Sequence, residues 1–286
     1  MQLRIATCQA LAEVDEDEDE DILLEALRAR GLAARMAAWD DPRENWDEHV
    51  PTVIRSTWNY IRDLEGFLAW TVRAERAAPL WNPVAIVKAN AHKGYLETLA
   101  RAGHAIVPTV FLTCGARADL AAIGRERGWR DVVVKPTVSA GSFKTLRTTV
   151  DDPRGAQHLN DLLAERDVLV QRYVDSVDDY GERALVWIDG QFTHAVRKSP
   201  RFIGQAESVS EALPIAPDEL ALGQAVLAPL AAQLLYARVD VARDDDGKPL
   251  IMEVELIEPS LFLLQFPPAL DRLADAIVRR CRAQSL

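Results

Sequence analysis

Cysteine is scarce in this 286-residue chain: Cys8, Cys114 and Cys281 are odd in number and far apart. That excludes a disulfide framework and a Cys-x-x-Cys metal site, and the three read as small buried hydrophobes in a reducing cytoplasm. Histidine is equally thin. His49, His92, His104, His158 and His194 show no i, i+4 ligand spacing, so each reads as structural or solvated. The longest nearly uncharged run, 225–237, contains Pro229 and Gln233 and falls short of the ~20 apolar residues of a membrane crossing. Residues 1–6 carry neither a basic leader nor a long apolar segment, so secretion is not expected. Basic charge is also short, with 33 Lys and Arg against 44 Asp and Glu, which disfavours a nucleic-acid partner. Glycine-rich signatures are missing as well. Neither Gly-x-x-x-x-Gly-Lys-Ser/Thr nor Gly-x-Gly-x-x-Gly nor a Gly-x-Ser-x-Gly elbow occurs, which removes the P-loop, the dinucleotide fingerprint and the serine-hydrolase turn.

What is present is a globular composition, 49% hydrophobic and 27% charged, long enough for two or three compact units. The net charge of −11 is concentrated: residues 1–50 hold 14 acidic and 5 basic side chains. The acidic run 15–21 precedes Ile22, Leu23, Leu24 and Leu27 and reads as a solvated amino-terminal cap of a helix over 21–30, rather than as a cation site. Strands are expected at 3–8, 32–39 and 52–56, giving a β-α-β unit and a further strand. The Pro-rich stretch 78–83 closes a first domain, 1–83. A small α/β unit follows at 84–168, with a helix around 92–102 and strands at 105–110 and 132–135. A third unit, 169–286, opens on a strand at 168–174 and holds two antiparallel hairpins turned by Asp189-Gly190 and Asp246-Gly247. The expected class is α/β, with α+β character towards the carboxyl end.

The second hairpin carries the chemistry. A turn centred on Asp246-Gly247 pairs Asp240 with Glu253 and Arg238 with Glu255, all on one face. Val239, Val241, Met252, Val254 and Leu256 then face the core. Facing carboxylates repel unless a cation lies between them. Hard oxygen donors without histidine or thiolate suit Mg²⁺ or Mn²⁺, completed by phosphate oxygens; the other reading is an exposed ribbon with incidental acids. Lys135 ends an apolar run and leads into a hydroxyl-bearing loop, 136–145, whose backbone N–H groups can meet an anion. Arg55 stands beyond a strand's carboxyl end, where ligands of α/β sheets gather. Two readings stand for it: a bidentate grip on a substrate carboxylate walled by Trp58 and Tyr60, or a pairing with the acidic first domain.

The order Lys93, Val-Val-Val-Lys135-Pro with its Ser/Gly loop, Leu-Val-Gln171-Arg172-Tyr173-Val174, Arg238-x-Asp240 and Glu253-x-Glu255 resembles the ATP-grasp superfamily over about 82–268. Arg55-Ser56-Thr57-Trp58-Asn-Tyr60, the segment 194–202 and Tyr-Ala-Arg238-Val-Asp240 are similar, more narrowly, to the branch containing the cyclo-ligase of D-cycloserine biosynthesis. The resemblance implies a substrate domain ahead of two α+β subdomains that hold ATP between them. It implies that Lys93 and Lys135 contact phosphates, that the loop with Ser139, Gly141 and Ser142 closes over them, and that Gln171, Arg172, Tyr173 and Val174 receive adenine. By the same resemblance Arg197, Lys198 and Arg238 serve the transferred phosphoryl group, and Asp240, Glu253 and Glu255 hold magnesium. Substrate would meet Arg55, Ser56, Thr57, Trp58, Tyr60 and Arg201. Many members have asparagine at Glu255 and glutamate at Gln171, two departures of this chain. The implied reaction is activation of an amino-acid-like carboxylate by phosphorylation and attack by nitrogen, either within one molecule or between two. The contrasting class is a nucleotide-binding regulatory module without turnover. A homodimer is compatible with the pattern, and no membrane partner is expected. Asp240→Asn or Glu253→Gln is expected to stop turnover with little loss of folding.

Overall fold

The computed structural model describes residues 1–9, 17–199 and 208–284. The first sheet is parallel, in the order β2 (Ala33–Ala38), β1 (Gln2–Thr7), β3 (Thr52–Ile54), β4 (Leu80–Trp81). Alternation along β1 divides its faces: Leu3 and Ile5 pack with α1 (Glu20–Ala29) and α9 (Pro267–Ala283), and Ala6 packs with α2 (Leu64–Ala77). Leu23, Leu24 and Leu27 form the buried stripe of α1, and Gly31, at φ +85°, ends that helix in the left-handed conformation.

Two short helices, α3 (Val84–Asn90) and α4 (Tyr95–Arg101), lead to an antiparallel sheet ordered β5 (Thr109–Leu112), β8 (Val168–Arg172), β6 (Asp131–Pro136), β7 (Leu146–Thr149). Helices α5 (Leu120–Arg127) and α6 (Pro153–Leu163) cover one face, over Val132, Val134, Val168 and Val170. The opposite face presents Val133, Lys135 and Gln171 to a cavity. The strand expected at 105–110 starts late: only an isolated bridge, Ile106 to Ile251, precedes Thr109.

After the single turn α7 (Ser176–Asp179), the third sheet is antiparallel, ordered β10 (Gln191–Lys198), β9 (Glu182–Ile188), β11 (Tyr236–Arg243), β12 (Pro249–Glu255), with α8 (Pro217–Leu227) intervening. Val168–Arg172 thus pairs in the second sheet, and the third begins at Glu182. Period 2 again sorts β11, with Ala237, Val239 and Val241 in the core and Tyr236, Arg238 and Asp240 on the other face. The pairs Arg238–Glu255 and Asp240–Glu253 form as expected, for a different reason than supposed. The loop spans three residues between Asp244 and Lys248, with Gly247 at φ +78°, and a bulge at Met252 restores the register. That bulge also turns Met252 out of the core face to the cavity wall, beside Val107, Val174 and Val177.

Asn82 fastens the first sheet to the third. Fully buried, it donates to the carbonyls of Tyr236 (2.8 Å) and Leu256 (2.7 Å) and accepts from the Leu235 N–H (2.7 Å). Asn82→Ala orphans all three backbone groups, and with each costing about 1–3 kcal/mol, a loss of at least about 3 kcal/mol in stability is expected, read as a lower denaturant midpoint. Among the described residues no helix is long and apolar enough to cross a membrane.

Candidate active site

A cavity of about 880 Å³ lies where the three sheets meet. The second sheet contributes Lys135 and Gln171, the third Glu182, Lys198, Arg238, Glu253 and Glu255, and the 3₁₀ turn Trp58–Arg62 after β3 closes one end. That turn follows the carboxyl end of β3, beside β1 where the strand order reverses, which is where such sheets place ligands. At the other end Gln171, Arg172, Tyr173 and Val174 line the wall with Met252 and Val107. Gln171, 3% exposed, donates its amide to the Thr109 hydroxyl at 2.9 Å.

The centre of the cavity is a set of cations and acids paired with one another. Lys93 lies 2.8 Å from Glu253 and donates to the carbonyl (2.6 Å) and hydroxyl (3.0 Å) of Ser139, anchoring the base of the loop that carries Gly141 and Ser142. Lys135 stands 4.0 Å from the other Glu253 oxygen. Burial opposes ionisation of Glu253, but Lys93 and Lys135 overcome it and hold its carboxyl below the ordinary range. Lys135 itself is lowered, chiefly by desolvation. Lys198 is 2.7 Å from Asp240 and 2.5 Å from Glu182, and Arg238 forks onto Asp240 through Nε and Nη2, both at 2.8 Å, while also contacting Glu255. Burial works against the Asp240 charge, yet Arg238 and Lys198 hold that carboxyl far below its ordinary value.

Several expected site residues stand elsewhere. Arg55 is 2% exposed and lies behind the cavity wall. It donates to the Pro259 carbonyl (2.9 Å), lies 3.9 Å from both Asp17 and Asp19, and faces the Tyr236 ring. Of its two readings, the structure carries the pairing with the acidic segment. Ser56 and Thr57 are buried with it, the Ser56 hydroxyl bonded to Glu20, so Trp58 and Tyr60 alone of that motif's named candidates reach the cavity. The segment 15–21 is correspondingly no solvated cap where it is described. Asp19 is 4% exposed and accepts the backbone N–H groups of Leu261 and Leu263. Arg197, one residue before Lys198 on β10, points to the opposite, exposed side by strand alternation. Arg201 lies outside the described residues.

The acids are likewise not arranged as a ready ligand set. Among the described residues no group of three or more His, Cys, Asp or Glu side chains is placed to hold a metal, and Asp240, 1% exposed, has both oxygens engaged by Arg238 and Lys198. Glu253 and Glu255 are different. They are partly exposed and face the cavity with hard oxygen donors, so these two suit a divalent cation that takes its remaining ligands from phosphate and water.

Sequence reasoning passed over Glu258. It follows β12, lines the cavity at 8% exposure, and meets the Tyr60 hydroxyl, while its own carbonyl accepts from Trp58 Nε1 at 2.9 Å. Burial, and then the charge of Glu255, push its carboxyl up to about 8. The available signal was a third acid following Glu253 and Glu255 where the ribbon ends. Because the folded protein keeps a proton that the unfolded chain releases above about 4.5, this group stabilises most below that pH, and its contribution is lost as pH rises towards 8. The melting temperature is expected to fall more steeply between about pH 5 and 8 in the unmodified chain than in Glu258→Gln; parallel slopes in thermal denaturation would refute the shift.

The fold that brings these three sheets together is shared with known proteins. Over 93% of its length this chain is 32% identical to the cycloserine biosynthesis protein DcsG of Streptomyces lavendulae, covering 95% of that protein. The chain belongs to the DcsG family. The family profile for the N-terminal domain of D-cycloserine synthetase DcsG matches residues 3–82. The crystal structure of D-cycloserine synthetase DcsG superposes with a TM-score of 0.87 at 31% identity, over 98% of this chain and 99% of that one. The RimK domain ATP-grasp protein of Sphaerobacter thermophilus superposes with a TM-score of 0.69 at 20% identity, over 96% and 99%, which places the DcsG fold among the ATP-grasp proteins. The chain is accordingly an ATP-grasp enzyme, an ATP-dependent ligase.

Proposed function

We propose that this DcsG-family ligase is a cyclo-ligase of the kind named for its relative: it activates the carboxylate of an O-ureido-serine-like substrate with ATP and closes a cycloserine-type ring. The observation that supports this most is the self-neutralised cavity, where Lys93, Lys135, Lys198 and Arg238 stand against Glu253, Glu255 and Asp240. Charge so arranged fits a bound triphosphate that takes over the lysines as partners.

On that reading, Lys93 and Lys135 turn from Glu253 to phosphate oxygens, and the loop 139–145, anchored by Lys93, covers them. The freed carboxylates of Glu253 and Glu255 hold a divalent cation, taken to be Mg²⁺ with Mn²⁺ as substitute, whose chemistry is charge neutralisation on the phosphates. Gln171, Arg172, Tyr173 and Val174 receive the adenine. Lys198 and Arg238 face the transferred phosphoryl group, where positioned cations lower the barrier without a covalent protein nucleophile. A substrate carboxylate oxygen bonds to the γ-phosphorus as the bond to ADP breaks. Nitrogen then attacks the acyl carbon, phosphate leaves and the nitrogen gives up its proton. Trp58 and Tyr60 wall the substrate end. Functionally the chain divides into a substrate unit, 1–83, and two nucleotide-holding units, 84–168 and 169–286.

Phosphate release from ATP across a panel of amino-acid derivatives, with mass analysis of the product, tests the reading. Release stimulated by O-ureido-serine with a ring product is expected. Stimulation only by pairs of amino acids, with an open amide product, would replace ring closure by intermolecular ligation. ATP binding without turnover on any member would leave a regulatory module.

A further inference from the structure

Every acid at the reacting centre described above has a cationic partner except one. Glu253 has Lys93 and Lys135, Asp240 has Arg238 and Lys198, Glu182 has Lys198 and Glu255 has Arg238. Glu258 has the Tyr60 hydroxyl and, among the described residues, no ion pair. It is 8% exposed and opens on the substrate end of the cavity beside Trp58 and Tyr60. Asp17, with its side chain 3% exposed, lines the same cavity and has one buried oxygen without a hydrogen-bond partner. A buried acid with no cation is costly, and a ligand that brings the cation offsets that cost.

The substrate's own geometry says where such a cation would sit. In an α-amino acid the ammonium is two bonds from the carboxyl carbon, so its acceptor must border the place where that carbon is activated. Glu258 does so: it lies within electrostatic reach of Glu255, Glu253 and Lys93 at the phosphoryl centre, and its backbone carbonyl is tied to Trp58 at the substrate wall. We propose that Glu258, steadied by the Tyr60 hydroxyl, receives the α-ammonium of the substrate, so that the enzyme takes α-amino acids and rejects the same acids lacking the amino group. This rests on the ligase reading of the cavity and adds the residue that selects the substrate's amino group. Burial raises the Glu258 carboxyl, and an ammonium beside it restores the charge.

The test is equilibrium binding by calorimetry, with Mg²⁺ and a non-hydrolysable ATP analogue present. Its probes are matched pairs: O-ureido-serine, serine and alanine, each beside the acid lacking its amino group. The unmodified enzyme is expected to favour the amino member of at least one pair by about 100-fold, and Glu258→Gln to reduce that preference to about 3-fold with nucleotide affinity unchanged. Glu258→Asp, which keeps the charge, should retain part of the preference. Tyr60→Phe should weaken the amino member by about 5-fold and spare its partner, a second readout should Glu258→Gln fold poorly. No amino preference in any pair, or one that survives Glu258→Gln, overturns the assignment. Selective binding without ATP-dependent product counts against the ligase reading alone.

Discussion

Asp240→Asn is expected to lower stability by about 3–5 kcal/mol as well as to abolish turnover. Asp240 is 1% exposed and accepts from Arg238 through both oxygens and from Lys198. Removing its charge leaves Arg238, on the same strand, and Lys198, two strands away on β10, facing a neutral amide, with Glu255 and Glu182 still beside them. The expectation from sequence that folding would be spared assumed a carboxylate exposed to an ion, and the buried fork corrects it. Denaturant titration should show the loss as a shift of midpoint. Full stability in the single variant would contradict the network.

Glu253→Gln is expected to behave differently. Its side chain is about one-quarter exposed and faces the cavity, so the melting temperature should change little. The kcat should fall by about 10³-fold or more, the scale on which lost electrostatic stabilisation acts. Meanwhile Lys93 and Lys135 lose the carboxylate that now occupies them, so ATP without metal should bind about 10-fold tighter than to the unmodified enzyme. Tighter metal-free nucleotide together with lost turnover is a pairing that simple damage to the site does not produce. Unchanged turnover would remove Glu253 from the chemistry.

The parts of the site legible in the sequence were those set by local periodicity. Alternation on a short ribbon put Arg238, Asp240, Glu253 and Glu255 on one face, and an apolar run ending in a lysine placed Lys135 at the edge of a strand. Local patterning could not say how deep each side chain would lie. Arg55 and Trp58 are three residues apart, yet the first is sealed behind the wall by Asp17, Asp19 and Pro259, contributed by distant parts of the chain. The same limit hid the burial of Asp19, since its partners, Leu261 and Leu263, are more than 240 positions away. Lys198 and Arg197 read alike as cations until β10 assigned them to opposite faces. The bulge at Met252 was invisible because it cancelled the error in the assumed turn, leaving the right partners for the wrong loop.

Lysines and carboxylates that neutralise one another in the cavity are expected to change partners when nucleotide and metal arrive. A crystal structure with Mg²⁺ and a non-hydrolysable ATP analogue tests it most directly. The expected result has Lys93 and Lys135 on phosphate oxygens, with Glu253 and Glu255 released to the ion. Nucleotide bound while Lys93 and Glu253 keep their 2.8 Å pairing, with the ion on other residues, would contradict it.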